Sequence, residues 1–486
     1  MRVLSRLASP VRRLLPTNAF ARGVGVLVGG TAGAQLLMLL AAPVLTRLYG
    51  PDDFGLLAVF TACLALFTVV AAGRYELAIP LPEADHEAAC LALLGMVCVL
   101  LTAGLALLAV LLWSAPLAAL LGAPGLVDYL WLLPVGVAFV GSYQVFNKWA
   151  VRTQRFSHVA RTRIWQALGT LGIQVGASGL GPVALLGGQA VGQGVGTTGL
   201  TLAALRHPAF RRVSLAGMAR QAWRHRRFPL YSTWTGLFNT GSLQLAPIVL
   251  VALFGAPVAG LYALTLRILT MPVSLVGNAI GSVFLAHAAQ ARRDGELAGL
   301  VGGLHRKLAI LGIPPLVALM VVGPELFAVL FGEQWRKAGL YAQWMLPWIY
   351  IQFQWSPLSM LASVLELQRD ALVAQLGMLV ARFGVLVGLY LAGAGADTAI
   401  LAFSVTSALV YLLQQGWFFR KAGLSLWRCA AEELGHLLMF IVLSLPLVLP
   451  YLQEALPLAG LLAALAPLAV AWTWWRLRPG RGGKHS

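Results

Sequence analysis

Two arginines, Arg267 and Arg382, each stand about ten residues inside a long apolar run. At 1.5 Å of rise per helical residue, that places both near the middle of a hydrocarbon layer. An arginine at that depth costs about 3 kcal/mol or more unless water, a partner or a ligand receives it. Its planar fork suits bidentate bonding to phosphate. The chemistry such residues could do is to hold an anionic headgroup; the plain alternative is bonding to backbone carbonyls between helices. Arg74 closes another apolar run and opens Arg74-Tyr75-Glu76-Leu77-Ala78-Ile79-Pro80-Leu81-Pro82. It either completes the same cationic cavity or snorkels to the surface and pairs with Glu76.

Amides and aromatics accompany these charges. One run opens with Phe228-Pro229-Leu230-Tyr231-Ser232-Thr233-Trp234 and continues through Asn239, Ser242 and Gln244. So many polar groups in one spanning segment imply either a face on an aqueous cavity, where sugar hydroxyls would fit, or hydrogen bonds between helices. A second run holds Tyr341, Trp344, Trp348, Tyr350, Gln352, Gln354 and Trp355. Gln352 and Gln354 beside aromatics are candidates for holding a glycan, whereas Tyr341, Trp344 and Trp348 read as an interfacial belt. Gly188, Gly192 and Gly196, at four-residue spacing, permit close helix packing.

Several chemistries lack their residues. The chain has no Gly-x4-Gly-Lys-Ser/Thr phosphate loop, no Gly-x-Ser-x-Gly and no His-Glu-x-x-His, so neither nucleotide hydrolysis nor those hydrolase mechanisms are indicated. Cys63, Cys90, Cys98 and Cys429 have no paired spacing, and the acidic stretch Glu83 to Glu87 offers no metal-ligand geometry; neither a metal nor a cofactor is implied. Asp52 and Asp53 stand where a membrane glycosyltransferase would carry acids, but no large outer domain or long outer loop accompanies them.

The elements that must position these residues are transmembrane helices. The 486 residues are 59% hydrophobic and 11% charged, with mean hydropathy +0.80, against about 25% charged in a soluble domain. Runs of about 20 apolar residues recur along the chain, giving an expectation of about fourteen spans. With the N-terminus inside, alternate loops hold 30 Lys and Arg, and the opposite loops hold only Arg47, Arg336 and Lys337. That is a strong positive-inside bias, with both ends cytoplasmic. The same partition explains the net charge of +18. The basic residues lie on inner loops facing anionic lipid, and nucleic acid is not an expected partner.

Leu48-Tyr49-Gly50-Pro51-Asp52-Asp53-Phe54-Gly55-Leu56-Leu57-Ala58 has a counterpart in Leu253-Phe254-Gly255-Ala256-Pro257-Val258-Ala259-Gly260-Leu261-Tyr262-Ala263. Both follow Leu-aromatic-Gly-x4-Gly-Leu-x-Ala. The repeat implies two six-helix halves in one orientation, a transporter architecture. The expected organisation is a basic arm (1–23), an N-lobe of helices 1–6 (24–205) and a basic linker (206–228). A C-lobe of helices 7–12 (229–419), helices 13–14 (420–475) and a basic tail (476–486) follow.

Tyr49-Gly50-Pro51-Asp52-Asp53-Phe54-Gly55, followed by Arg74-Tyr75-Glu76-Leu77-Ala78-Ile79-x-Leu-Pro, resembles the amino-terminal half of bacterial oligosaccharide flippases of the polysaccharide-exporter, or Wzx-like, type. These belong to the superfamily that includes the MATE multidrug exporters and MurJ. Phe228-Pro229 with Asn239, Met271-Pro272-Val273-Ser274, and Phe331-Gly332-Glu333-Gln334-Trp335 with Ala338-Gly339 resemble their carboxy-terminal half. The resemblance covers roughly residues 20 to 425. It implies an all-α, fourteen-helix, two-lobed membrane protein in the bacterial cytoplasmic membrane. Its implied substrate is a polyprenyl-diphosphate oligosaccharide, whose diphosphate would meet Arg74, Arg267 and Arg382. It further implies a monomer working beside a polysaccharide polymerase and glycosyltransferases. A MATE-like cation antiporter is the alternative of the same fold, but it needs a buried carboxylate, and Asp128, Glu325 and Asp397 all lie near helix ends. A glycosyltransferase resting on Asp52 and Asp53 is the enzymatic alternative.

Overall fold

The computed structural model describes residues 19–477, apart from a few side chains inside helices, those of Asn239 and Ser242 among them. The arm expected at 1–23 and the tail at 476–486 lie largely outside the described residues. Among the described residues every regular element is a helix. Lipid offers no partner for backbone N–H and C=O, so a spanning segment must satisfy them within itself.

The longer helices of the first part are α1 (Ala19–Leu40), α2 (Ala42–Leu48), α3 (Pro51–Ala71), α4 (Asp85–Leu120), α5 (Leu132–Arg152) and α6 (Phe156–Gly176). There follow α7 (Pro182–Gly192), α8 (Thr197–Leu205), α9 (Leu215–Arg224), α10 (Thr233–Phe254) and α11 (Ala256–Arg293). The chain ends with α12 (Leu297–Phe331), α13 (Arg336–Leu358), the single turn α14 (Leu361–Val364), α15 (Gln368–Leu391), α16 (Ala396–Lys421), α17 (Leu426–Leu452) and α18 (Leu458–Leu477). Among the described residues, nine helical stretches are long and apolar enough to cross a membrane. The protein is therefore a multi-pass membrane protein. Further apolar runs of the sequence, near 126–147, 162–179, 183–205, 229–253 and 340–365, are also largely helical. They fall short of that apolarity because they carry polar side chains, or because the helix breaks, as it does between α7 and α8.

Two compact units are present, residues 1–260 and 261–486. In the first, which includes the seventh expected helix, α10 packs along α3. The reason lies in the repeated motif. A Cβ on Gly55 would strike the backbone of Ala256, and one on Gly260 would strike the backbone of Pro51. The second glycine of each copy thus lets the two copies touch, backbone to backbone. Pro51 occupies the first turn of α3, and the Gly50 N–H donates to Asp53 Oδ2 at 3.0 Å. Asp53 therefore serves as a helix-starting acceptor. Of the spaced glycines, Gly188 approaches Gln174 and Gly192 approaches Thr170, joining α7 to α6. Gly196 also lies against α6, at Thr162 and Trp165, and it turns the chain at φ 77°; α8 starts there because only glycine adopts that backbone cheaply.

In the second unit α12 lies along α13, closest where Gly323 meets Gly339. α15 and α13 both pack on α16. α17 and α18 rest on α12 through Ile310, Ile313 and Val317 against Phe440 and Trp472, with the Trp472 indole N–H donating to the Ile310 carbonyl at 3.3 Å. Between helices in lipid such dense apolar contact holds by dispersion, since the tails are as apolar as leucine.

Candidate substrate-binding site

In the first unit the site begins where α3 ends. Gly73 (φ 59°) and Arg74 (φ 60°) are both left-handed, and for a non-glycine residue that conformation costs about 1 kcal/mol. The turn sends the Arg74 side chain against Gly236 of α10, where any Cβ would occupy the space of its guanidinium. Arg74 Nη1 lies 3.8 Å from Glu76 Oε1, and the two side chains are 17% and 4% exposed. Arg74 Nε is buried and has no hydrogen-bond partner among the described residues. Burial raises the Glu76 carboxyl above the ordinary range, opposed by its own backbone N–H, by Arg74 and by Lys148. Glu76 therefore only partly neutralises Arg74, at a distance too long for a good hydrogen bond.

The sequence reading missed a neighbouring polar stripe. Gln144, Asn147 and Lys148 sit on α5 at i, i+3 and i+4, all half-buried. The carbonyl oxygens of Gln144 and Asn147 and the hydroxyl of Tyr143 are buried with no partner among the described residues. The Arg163 guanidinium lies over the Tyr143 ring at 4.7 Å. Polar residues recurring at helical spacing at the end of an apolar run are the available signal, but the basic stretch from Lys148 to Arg163 also reads as an inner loop. On α10, Gln244 is half-buried; the Asn239 side chain lies outside the described residues.

In the second unit the two deep arginines differ. Arg267, on α11, is half-buried and has no hydrogen-bond or ion-pair partner among the described residues. Arg382, on α15, is boxed in. Its Nε donates to Ser407 Oγ at 2.6 Å, and its guanidinium lies 4.8 Å from the Trp348 ring, 5.2 Å from Phe403 and 5.3 Å from Tyr411. Its Nη2, buried, has no hydrogen-bond partner among the described residues. For Trp348 and Tyr341, burial overturns the expectation of an interfacial belt. Trp348 is 3% exposed and stacks on Tyr411, and Tyr341 is fully buried with its hydroxyl donating to Asp397 Oδ1 at 2.8 Å. A belt residue would keep its polar edge in the headgroup layer.

The amides of α13 also differ. Gln352 is half-buried, and its buried carbonyl oxygen lacks a partner among the described residues. Gln354, 1% exposed, is bonded at both ends of its amide, to Glu433 on one side and to His305 and Gln415 on the other. The structure thus gathers Arg74 with α10 in one unit. In the other it leaves Arg267 and Gln352 with unanswered polar groups, and it engages Arg382 and Gln354 within the protein.

A multi-pass, all-helical membrane protein with unpaired cationic groups inside it defines the class. Residues 44–339 match the family model described as polysaccharide biosynthesis protein, and the chain belongs to that family. Over 114 residues it is 30% identical to the lipopolysaccharide biosynthesis protein WzxC of Escherichia coli K12, a match spanning 23% of each chain. The lipid II flippase MurJ, in its inward closed conformation, superposes with a TM-score of 0.71 over 94% of this chain and 98% of its own, at 10% identity. An inward-facing multidrug resistance MATE transporter of the MOP superfamily gives 0.55 over 80% of this chain and 94% of its own, at 14% identity. At those identities the likeness to the two transporters is one of fold.

Proposed function

We propose that the protein is a flippase that carries a polyprenyl-diphosphate-linked oligosaccharide across the bacterial cytoplasmic membrane by alternating access, supplying surface polysaccharide synthesis. The observation that carries this reading is Arg267, a guanidinium deep in an apolar helix with no countercharge among the described residues. A cation so placed is compensated when a diphosphate arrives, and a diphosphate leaves water only where such a cation waits. Arg74, which Glu76 only partly neutralises, is the second diphosphate contact. Arg382 contributes through Nη2, and its main work is to hold α13, α15 and α16 together. Sugars meet Asn239 and Gln244 on α10 and Gln352 on α13; Gln354 meets them only if its present bonds open. Fourteen crossings in two six-helix lobes and an appended pair, cytoplasmic termini, a monomeric state and work beside a polymerase and glycosyltransferases complete the proposal. The antiporter reading would require a carboxylate in place of these arginines.

The test uses cells whose surface polysaccharide depends on this gene. Exchange of Arg267 for Ala lowers surface polysaccharide at least tenfold at normal protein level, lipid-linked repeat units accumulate, and Arg267→Lys restores part of the export. Undiminished polysaccharide in Arg267→Ala cells would remove this residue, and with it the physical basis of the reading.

A further inference from the structure

The second unit holds an ionisable cluster centred on His305 and Glu433, neither of which is among the proposed substrate contacts. His305, two turns into α12, is 5% exposed. Its Nε2 lies 3.1 Å from Gln354 Oε1 of α13 and 3.6 Å from Glu433 Oε2 of α17. The Gln354 amide is oriented by its other end, which donates to Glu433 Oε1 at 2.8 Å. Its oxygen, which also receives the Gln415 amide of α16 at 3.5 Å, can only accept. Nε2 of His305 therefore carries the hydrogen, and Nδ1 is where a second proton adds.

Adding that proton changes the character of the cluster. A neutral His305 contributes one hydrogen bond to Gln354, whereas an imidazolium also forms an ion pair with the Glu433 carboxylate, in surroundings where the Phe419 ring covers one side at 5.0 Å. The neighbouring charges are largely spoken for. Arg306 pairs with Glu432 at 2.7 Å, and Arg476 lies 2.9 Å from a ring nitrogen of His436. The Tyr350 hydroxyl of α13 lies 3.4 Å from the Ala309 carbonyl and also faces Glu433 and Gln354, so it belongs to the same cluster. Arg428 and Cys429 stand at the rim of a cavity of about 270 Å³ that His305, Glu433 and His436 also line. That cavity provides an exchange route for a proton.

We propose that His305 and Glu433 form a proton-binding site whose occupancy fastens α12, α13 and α17 to one another at this end of the unit. Its use, resting on the flippase reading, is to make one conformational step of the transport cycle depend on a proton. A protonated site holds the helices together, and a deprotonated one frees the start of α17.

The full chain in lipid nanodiscs, with histidine labelled at Cε1 and His305 assigned through His305→Gln, tests this by NMR titration. His305 titrates in a single step across a scan from pH 9 to pH 4, and Glu433→Gln lowers its midpoint by about one pH unit, a tenfold loss of proton affinity. Hydrogen exchange, corrected for its intrinsic pH dependence, shows the first turns of α17 several-fold better protected below the midpoint than above it, and this difference vanishes in Glu433→Gln. A His305 signal that does not move across that range, a midpoint untouched by Glu433→Gln, or equal protection on both sides of it would overturn the site. Neither readout uses transport, so failure of the flippase reading would leave both unchanged.

Discussion

Arg267 and Arg382 stand about equally deep in apolar helices of one unit, yet their surroundings are opposite. Arg382 is enclosed by three aromatic rings and Ser407. Arg267 has no partner among the described residues. The difference teaches that depth alone does not reveal what a buried cation is for. A guanidinium that aromatic faces and a hydroxyl already satisfy is structural cement. One left unsatisfied is what the proposed diphosphate contact requires.

The contrast breaks most directly on paired alanine variants. Arg267→Ala abolishes export, a loss of tenfold or more, while thermal unfolding of the purified protein stays within a few degrees of the parent. Arg382→Ala does the reverse. Losing a guanidinium that bridges three rings and a hydroxyl destabilises the second unit by about 2 kcal/mol, read as a lower unfolding temperature and reduced protein in the membrane. If both variants lost the same property, the distinction between them would fall.

Unit 1 sharpens the comparison, because Arg74 is intermediate. Gly236→Ala forces a methyl into the Arg74 guanidinium and costs about 1–3 kcal/mol as an overpacked contact. In an Arg74→Ala background the same change is nearly neutral. A double-mutant cycle on thermal stability measures this, and additive effects would place the guanidinium elsewhere. A smaller effect, about 1 kcal/mol, is expected for Trp348→Leu, which removes one wall of the Arg382 box. That loss should disappear when Arg382 is already Met. The smallest is Asp53→Asn, which weakens the start of α3 by about 1 kcal/mol or less and leaves export within twofold. A hundredfold loss there at normal protein level would revive the enzymatic alternative.

The residue pattern made the helices legible, because twenty apolar residues in lipid have no other way to satisfy their backbone. The repeated Leu-aromatic-Gly-x4-Gly motif likewise pointed to paired elements. What it did not reveal is that Gly55 and Gly260 bring the two copies into mutual contact and group α10 with the first unit. The polar stripe Gln144, Asn147 and Lys148 was visible in the spacing but masked by the assumption that a lysine marks a loop. The enclosure of Trp348 and the bonds that Gln354 already makes were hidden for a different reason. Their partners, Arg382 and Tyr411 for one, His305 and Glu433 for the other, come from helices 34 to 79 residues away.

By itself, then, the sequence determined that the chain lives in a membrane and that arginines stand within its apolar runs. Those properties follow from composition and one-dimensional spacing, which the bilayer reads residue by residue. Tertiary structure alone decided which arginine is answered and which is left waiting, and which histidine faces which carboxylate. An ion pair or an aromatic box depends on distances of a few ångströms between helices remote in the chain, and no local pattern specifies them.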